Sequence, residues 1–331
     1  MVDGISVVIP NYNGVDLLSQ TLDAAKKALV NVGLPFEIIV SDDHSTDNSV
    51  RWLKEKYPEV KILENKENGG FAVAVNKGVA ASIFSKVLLL NSDVKLTPGY
   101  FVNQLKYFDK ADTFGVMGRI TGWEDNVIKE GAKYPVFHGL KIKTSRNYIL
   151  ADEAQMKDGI FTMYLCGANA FIDKNKFLHL GGFNESFSPF YIEDYDLSLR
   201  AWRAGFKCYF DYNSVCRHKE SVTIKSNNSK RFITTIYNRN KFILHAIHLE
   251  NMQKLGWFLQ LMPECMIRLV TLRWSYFTSL YLFFRSFGKI KQSINMFEQV
   301  TDSTGCKRSV SEVASVIVRS VDAQKKVFWH T

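Results

Sequence analysis

Short apolar runs alternate with segments of helical spacing over the first 120 residues. The apolar runs are rich in β-branched and aliphatic residues and predict strands near 5–10, 36–42, 60–64, 86–91 and 115–120. Apolar positions spaced three and four apart predict helices over 15–32, 46–57, 70–85 and 99–111. Strands and helices that alternate in this way are typical of an α/β fold with a mostly parallel sheet.

The pattern changes after residue 121. Residues 122–160 are polar and interrupted by glycine and proline, which predicts a loop-rich stretch with one hairpin at most. A strand is predicted over 161–172, followed by a short helix, a helix from Glu193 and two strands near 206–210 and 214–218. From about residue 232 onward, long runs of helical spacing predict a helical region.

The chain has 331 residues, of which 46% are hydrophobic and only seven are proline. Such a chain can bury a sizeable core, so we expect a packed protein rather than a disordered one. The formal net charge of +9 is unevenly divided. Residues 1–216 carry 24 basic and 26 acidic side chains, whereas residues 217–331 carry 18 and 7. The excess positive charge therefore belongs to the last third of the chain.

The five cysteines form no CxxC pair and are odd in number, which favours neither a zinc site nor a disulfide framework. No basic and apolar leader precedes the first predicted strand, and the longest uncharged apolar run, residues 274–284, is shorter than a membrane-spanning helix. We therefore expect a cytoplasmic protein without a transmembrane segment.

Polar residues follow three of the predicted strands, in segments 10–14, 41–47 and 91–93. Ligands of open α/β sheets bind at the carboxyl ends of the strands. Each segment alone is equally typical of a helix cap or turn, so both interpretations stay open for any one of them. Together they predict a polar edge, at which Asp42 could accept a hydrogen bond from a nucleoside while Asp47 caps the following helix.

Asp93 follows the apolar residues 87–90 after Asn91 and Ser92. Its carboxylate either supports a divalent cation that bridges two phosphates or belongs to a turn before Pro98. The segment 68–70 (Asn-Gly-Gly) begins a predicted helix, where backbone N–H groups can approach a phosphate or ribose. It is neither a GxGxxG motif nor a P-loop, which argues against a dinucleotide dehydrogenase and an NTPase.

Three carboxylates, Glu193, Asp194 and Asp196, stand at the start of a predicted helix. The helix dipole favours acidic residues there, so they are either capping charges or include a catalytic base. His218 ends a predicted strand between basic residues and is either an exposed histidine or a metal ligand beside Asp93.

Taken in order and spacing, segments 7–13, 41–43, 68–70, 91–93 and 193–197 resemble family 2 glycosyltransferases with a GT-A fold. The resemblance covers residues 4–245 and looks closest to bacterial rhamnosyltransferase-like enzymes of surface polysaccharide assembly. It implies a catalytic domain over 1–230, with a nucleotide-sugar-binding half (1–121) and an acceptor-binding half (122–230), followed by a helical region over 231–331. One motif departs from the family, in which the position of Asn91 is often Asp.

The resemblance implies roles for individual residues. Asp194 is expected to be the general base of an inverting transfer, and Asp93 and His218 are expected to hold Mn²⁺ or Mg²⁺ on the diphosphate. Contacts with the donor nucleotide are expected from Pro10, Tyr12, Asp42, Asn68, Gly69, Gly70, Asn91 and Ser92.

The same resemblance implies a nucleoside-diphosphate-sugar donor, dTDP-rhamnose or a UDP-sugar, and a glycan or lipid-linked hydroxyl as acceptor. A non-catalytic nucleotide-sugar-binding relative is one alternative. A sugar-phosphate nucleotidyltransferase is another, although residues 10–14 lack the basic, glycine-rich loop expected of one.

Basic and aromatic residues interleave in the last third, among them Arg268, Arg273, Trp274, Tyr281 and Arg285. Cationic helices rich in aromatic residues are typical of elements that bind anionic lipid. We expect this region to associate with the inner face of the cytoplasmic membrane, with identical chains to form a homo-oligomer, or with both. Nucleic-acid binding is not expected, because no nucleic-acid motif is present.

Overall fold

The computed structural model describes residues 2–219 and 228–329. Its first part alternates strands and helices in the order β1 (Val2–Asn11), α1 (Val15–Val32), β2 (Phe36–Asp42), α2 (Ser49–Lys56), β3 (Lys61–Glu64), α3 (Phe71–Ala81) and β4 (Phe84–Leu89). These strands lie parallel in the order β4, β1, β2, β3. The hydrophobic spacing predicted all of these elements to within a few residues.

Helix α1 illustrates how local spacing decides an element. Its residues Leu18, Leu22, Ala25 and Leu29 recur every three or four positions and are all buried. The helix ends at Gly33, whose φ of 71° is a left-handed conformation that glycine adopts without a steric penalty. The buried face therefore packs on the sheet while the polar face stays in water.

The second part extends the same sheet with strands that run both ways. It contains β5 (Val94–Leu96), β6 (Thr113–Gly122), β7 (Ile128–Glu130), β8 (Ala132–His138), β9 (Lys141–Leu150), β10 (Ile160–Phe161), β11 (Ala170–Asp173), α4 (Lys174–His179), α5 (Glu193–Arg203) and β12 (Lys207–His218). The main sheet has the order β10, β12, β6, β11, β4, β1, β2, β3. Because β11 is antiparallel to both neighbours, the sheet is parallel in its first half and mixed beyond β4.

Several predicted elements differ from the structure. The helix predicted over 99–111 is reduced to a 3₁₀ turn at Leu105–Asp109. In the residues before it, backbone N–H groups donate to carbonyl oxygens three residues back, and the side chains of Tyr100 and Phe101 are both buried. The strand predicted over 161–172 is split between β10 and β11. The two strands predicted near 206–210 and 214–218 form one strand, β12, with a shift in register between Asp211 and Val215.

The last third is helical, as predicted, and ends in a strand that was not predicted. Its elements are α6 (Lys230–His248), α7 (Asn251–Val270), α8 (Trp274–Arg285), α9 (Phe287–Thr304), α10 (Val310–Ser320) and β13 (Lys326–Trp329). Strand β13 pairs with β9 and completes a three-stranded sheet with the hairpin of β8 and β9. The helical region therefore packs against the part of the chain that precedes it, and the boundary placed at residue 230 stays a prediction.

Candidate active site

A cavity of about 620 Å³ lies at the carboxyl ends of the parallel strands. Its walls come from the ends of β1 and β4, the starts of α3, α5 and α6, and the segment before β11. The polar and charged residues among them are Asn11, Tyr12, Asp43, Asn68, Asn91, Ser92, Asp93, Glu130, Tyr164, Glu193, Asp194, His218 and Asn228. Ligands of open α/β sheets bind at this edge, so the cavity is the candidate active site.

The loops at the rim are braced against each other. Asn11 and Asp42 are paired at the ends of the parallel strands β1 and β2. The hydroxyl oxygen of Ser45 accepts hydrogen bonds from the side chain of Asn11 and the backbone N–H of Asn13, at 3.2 and 2.9 Å. Asp47 accepts a hydrogen bond from the N–H of Ser49, the first residue of α2, although the N-cap position of this helix belongs to Asn48.

Asp42 and Asp43 lie on different sides of the strand end. The Asp42 side chain is buried and accepts a hydrogen bond from the N–H of Ser45 at 3.0 Å. Asp43 lines the cavity and accepts hydrogen bonds from the N–H groups of Gly69 and Gly70, at 3.0 and 2.7 Å. These two N–H groups, predicted to approach a phosphate or ribose, are therefore engaged by a carboxylate that the sequence did not single out.

Asp93 and His218 are brought together from distant positions in the chain. β5 pairs with β12 next to Asp93, and the Nε2 atom of His218 lies 3.2 Å from a carboxylate oxygen of Asp93. Mg²⁺ is commonly bound by one or two carboxylates and completes its coordination with phosphate oxygens and water, a pattern that Asp93 fits. In the part of the chain that the structure describes, no group of three or more acidic, histidine or cysteine side chains could hold a metal.

Asp194 lies in the first turn of α5 and lines the same cavity. One carboxylate oxygen accepts a hydrogen bond from the N–H of Gly167 at 3.2 Å and the other from the N–H of Tyr195 at 2.8 Å. Burial raises the pKa of Asp194 to about 6, while these two N–H groups oppose the increase. A carboxylate with a pKa near neutrality is well suited to accept a proton from an alcohol.

Glu193 is a second buried carboxyl group at the cavity. Burial, together with the charge on Asp194, raises the pKa of Glu193 to about 8. Its Oε2 atom has no hydrogen-bond partner among the described residues. The two neighbouring carboxyl groups therefore carry about one negative charge between them at neutral pH, and they titrate as a coupled pair.

Glu130 and Tyr164 form a wall that sequence reasoning missed. Lys133 bonds to Glu130 and to Asn147, and its ammonium group lies 5.4 Å from the centre of the Tyr164 ring. Burial alone would raise the pKa of Glu130, but the charge on Lys133 lowers it below its usual value. Apolar residues show no regular spacing over 122–160, so the acidic side chain itself was the one sequence feature that could have indicated Glu130 as a site residue.

Two residues that line the cavity, Asn11 and Asn91, contain buried amide oxygens without partners in the described part of the chain. The Oδ1 atoms of Asn11 and Asn91 are buried, and neither has a hydrogen-bond partner among residues 2–219 and 228–329. Buried polar atoms are nearly always hydrogen-bonded in folded proteins, so unpaired ones at a cavity are typical of ligand contacts. The sequence pointed to Asn91 for such a contact but did not single out Asn11.

The structure brings most of the predicted site residues into one cavity. Those that line it are Pro10, Tyr12, Asn68, Gly70, Asn91, Ser92, Asp93, Asp194 and His218. Asp42 and Gly69 are not among the described residues that line it, although each lies beside one that does. The roles assigned to all of these residues stay predictions.

A buried network holds helix α5 in place behind the cavity. One carboxylate oxygen of Asp196 pairs with Arg200 at 2.7 Å and the other lies 2.9 Å from Nε2 of His248 on α6. Burial lowers the pKa of His248 to about 4, so the ring is neutral and Arg200 supplies the charge that Asp196 requires. Asp196 therefore acts in the protein core, whereas Asp194 faces the cavity.

Comparison with solved structures identifies the fold as that of GT-A glycosyltransferases. The chain superposes on GalNAc-T7, solved with UDP, GalNAc and Mn²⁺, with a TM-score of 0.68 and 15% sequence identity. The match covers 97% of this chain and 58% of that one. The family model for glycosyl transferase family 2 matches residues 6–180. The chain therefore belongs to this family, as its motifs predicted, and is a glycosyltransferase.

Two bacterial relatives illustrate the sequence similarity. An uncharacterised glycosyltransferase of Bacillus subtilis, YwdF, is 28% identical over 201 residues, which cover 60% of this chain and 67% of that one. The O-antigen chain rhamnosyltransferase RfbN of Salmonella typhimurium is 26% identical over 239 residues, which cover 70% of this chain and 72% of that one.

Proposed function

We propose that this glycosyltransferase transfers a sugar from a nucleoside-diphosphate-sugar to a hydroxyl group of a glycan or lipid-linked acceptor, with inversion at the anomeric carbon. The observation that carries the proposal is the sharing of one cavity by Asp194 and the Asp93–His218 pair. A base and a diphosphate-binding group must both reach the reacting carbon, so they have to line the same cavity.

The proposed roles follow from the position of each side chain. The oxygen of the acceptor hydroxyl attacks the anomeric carbon from the face opposite the leaving group, and Asp194 accepts the proton of that hydroxyl. Asp93 and His218 would hold Mn²⁺ or Mg²⁺, which when bound neutralises the charge that develops on the leaving nucleoside diphosphate. Asn11 and Asn91 line the cavity and would hydrogen-bond to the donor through their side-chain amides.

Two features support a donor nucleotide at the edge of β1 and β2. Pro10 and Tyr12 line the cavity next to Asp43, whose carboxylate is fixed by the start of α3. Asp42, which precedes Asp43 at the end of β2, is also proposed to contact the donor nucleotide. The relative named as an O-antigen chain rhamnosyltransferase supports dTDP-rhamnose as the first donor to test, with UDP-sugars next and surface polysaccharide assembly as the process.

A first experiment measures release of nucleoside diphosphate from a panel of dTDP- and UDP-sugars with Mn²⁺, Mg²⁺ or EDTA present. We expect release that requires a divalent cation and increases when an acceptor glycan is added. No release from any donor would favour the alternative of a non-catalytic nucleotide-sugar-binding relative. Release of pyrophosphate from a nucleoside triphosphate and a sugar phosphate would favour a nucleotidyltransferase.

A second experiment tests the proposed base and its stereochemical consequence. Asp194→Asn keeps the volume of the side chain but cannot accept the proton, so we expect kcat to fall by about 10²–10⁴ with donor affinity retained. Asp302→Asn, at an exposed position on α9, is the matched control and should keep full activity. Near-normal turnover of Asp194→Asn, or retention of configuration in the product by NMR, would contradict the proposal.

A further inference from the structure

Helix α7 exposes an apolar face along its whole length. The apolar residues on this face are between 47% and 77% exposed and recur every three or four positions: Met252, Leu255, Leu259, Met262, Met266 and Leu269. Residues at this spacing lie on one side of a helix, so they form a continuous stripe about 26 Å long. Contiguous exposed apolar surface of this kind is typical of a docking surface.

The stripe continues around the turn between α7 and α8. Val270, Leu272 and Trp274 are 79%, 68% and 56% exposed. We call residues 266–274 the α7–α8 tip. Tryptophan and tyrosine are enriched where proteins meet the boundary between lipid and water, because one part of each ring is apolar and another is polar. Trp274 at the tip and the exposed Tyr281 on α8 therefore fit such a boundary.

Basic residues predominate in the chain from the end of α7 onward, and the one acidic residue within the range of the stripe, Glu264, is paired with Lys141. No acidic residue occurs from 265 to 297, whereas the same stretch contains five basic residues: Arg268, Arg273, Arg285, Lys289 and Lys291. All of these side chains except Arg268 are largely exposed. An occupant of the surface must therefore present both apolar groups and negative charge.

The charge decides between two kinds of occupant. In a symmetric dimer the same patch of each chain faces the other, so the positive residues of one chain would approach those of its partner. Like charges that face each other across an interface are unfavourable. The headgroups of an anionic bilayer bind the basic residues, and its acyl region takes up the apolar ones, so both features of the surface are satisfied.

We propose that α7 and the α7–α8 tip lie on the surface of an anionic lipid bilayer. The apolar stripe is buried at the boundary between headgroups and acyl chains, and Arg273, Arg285, Lys289 and Lys291 contact lipid phosphates. In the part of the chain that the structure describes, no helix is long and apolar enough to cross a membrane, so the mode is interfacial. The inference uses no residue of the cavity and does not depend on the proposed function.

Packing connects this surface to the cavity. Tyr276 and Phe283 of α8 pack against Phe242 of α6, and Phe232 of the same helix lines the cavity. A bilayer that contacts α7 and the α7–α8 tip would therefore lie close to α8, which packs against α6, and α6 forms part of the cavity wall.

The test is flotation of the full chain with phosphatidylcholine vesicles that contain either no or about 30% phosphatidylglycerol. We expect binding to the anionic vesicles at low salt, and weaker binding at high salt because salt screens the charges. The double variant Val270→Glu/Leu272→Glu should bind more than tenfold more weakly, and Arg273→Glu at least about fivefold more weakly. All three positions are exposed, so the variants should fold normally.

Matched controls come from α1, where Val30→Glu and Lys27→Glu make the same chemical changes at exposed positions and should leave lipid binding unchanged. The proposal is overturned if the wild-type chain does not float with anionic vesicles, or if the tip variants and the α1 controls bind equally. It is also overturned if light scattering finds a dimer that Val270→Glu/Leu272→Glu converts to a monomer while vesicle binding is unaffected.

Discussion

The pH dependence of catalysis follows from the two neighbouring carboxyl groups at the start of α5. Burial raises the pKa of Asp194 to about 6, and a base must be ionised to act, so its contribution is present above this pH and lost below it. At pH 5 about one tenth of the Asp194 side chains would be ionised. We therefore expect kcat/KM at pH 5 to be about tenfold below its value at pH 7.

Glu193 sets the other side of the profile. Its pKa is raised to about 8, so at higher pH a second negative charge appears beside Asp194, in the cavity proposed to bind the diphosphate. Because like charges repel, we expect kcat/KM to decrease again above about pH 8. Glu193→Gln keeps the shape of the neutral acid, so it should remove the alkaline decrease and leave the acid limb in place.

The assay measures release of nucleoside diphosphate at several donor concentrations between about pH 4.5 and 9. Saturating Mn²⁺ separates proton binding at Asp194 from loss of metal at the site proposed for Asp93 and His218. Circular dichroism at each pH shows whether the chain stays folded. A rate that is constant down to pH 5, or an acid limb that moves when Glu193 is replaced, would refute the assignment of Asp194 as the group that must ionise.

Two further predictions concern the stability of the site. Asp196→Ala leaves Arg200 unpaired in the core and should lower the free energy of unfolding by about 3–5 kcal/mol, a decrease in Tm on the order of 10 °C. Glu55→Ala breaks an exposed ion pair, which contributes little to stability, and is the control for thermal unfolding. Equal effects of the two substitutions would contradict the prediction. Gly70→Ala places a Cβ atom 2.8 Å from a backbone oxygen at a φ of 88°, so we expect a loss of about 1–3 kcal/mol and a higher donor KM. Gly99→Ala is its control, because a Cβ atom added at position 99 meets no atom within 4 Å. If Gly70→Ala has the same donor KM and Tm as Gly99→Ala, position 70 tolerates a side chain.

The amino-acid sequence alone determined the helices and strands that depend only on residues close together in the chain. The run of strands and helices from β1 to β4 follows from the spacing of apolar residues within each segment, and the polar residues after β1, β2 and β4 had to meet at one edge because parallel strands end together. Local spacing also predicted the helices of the last third. The resemblance to family 2 glycosyltransferases, rather than local spacing, implied that Asp93, His218 and Asp194 would be site residues, and the structure places them in one cavity.

The tertiary structure decided the features that depend on residues far apart in the chain. Successive residues at a strand end point to opposite sides, so whether Asp42 or Asp43 lines the cavity depends on how β2 pairs with its neighbours. Strand β13 forms only because β9, about 180 residues earlier, offers it a pairing edge. The raised pKa of Glu193 likewise depends first on burial, which only the packed chain imposes, and the neighbouring charge of Asp194 adds to it.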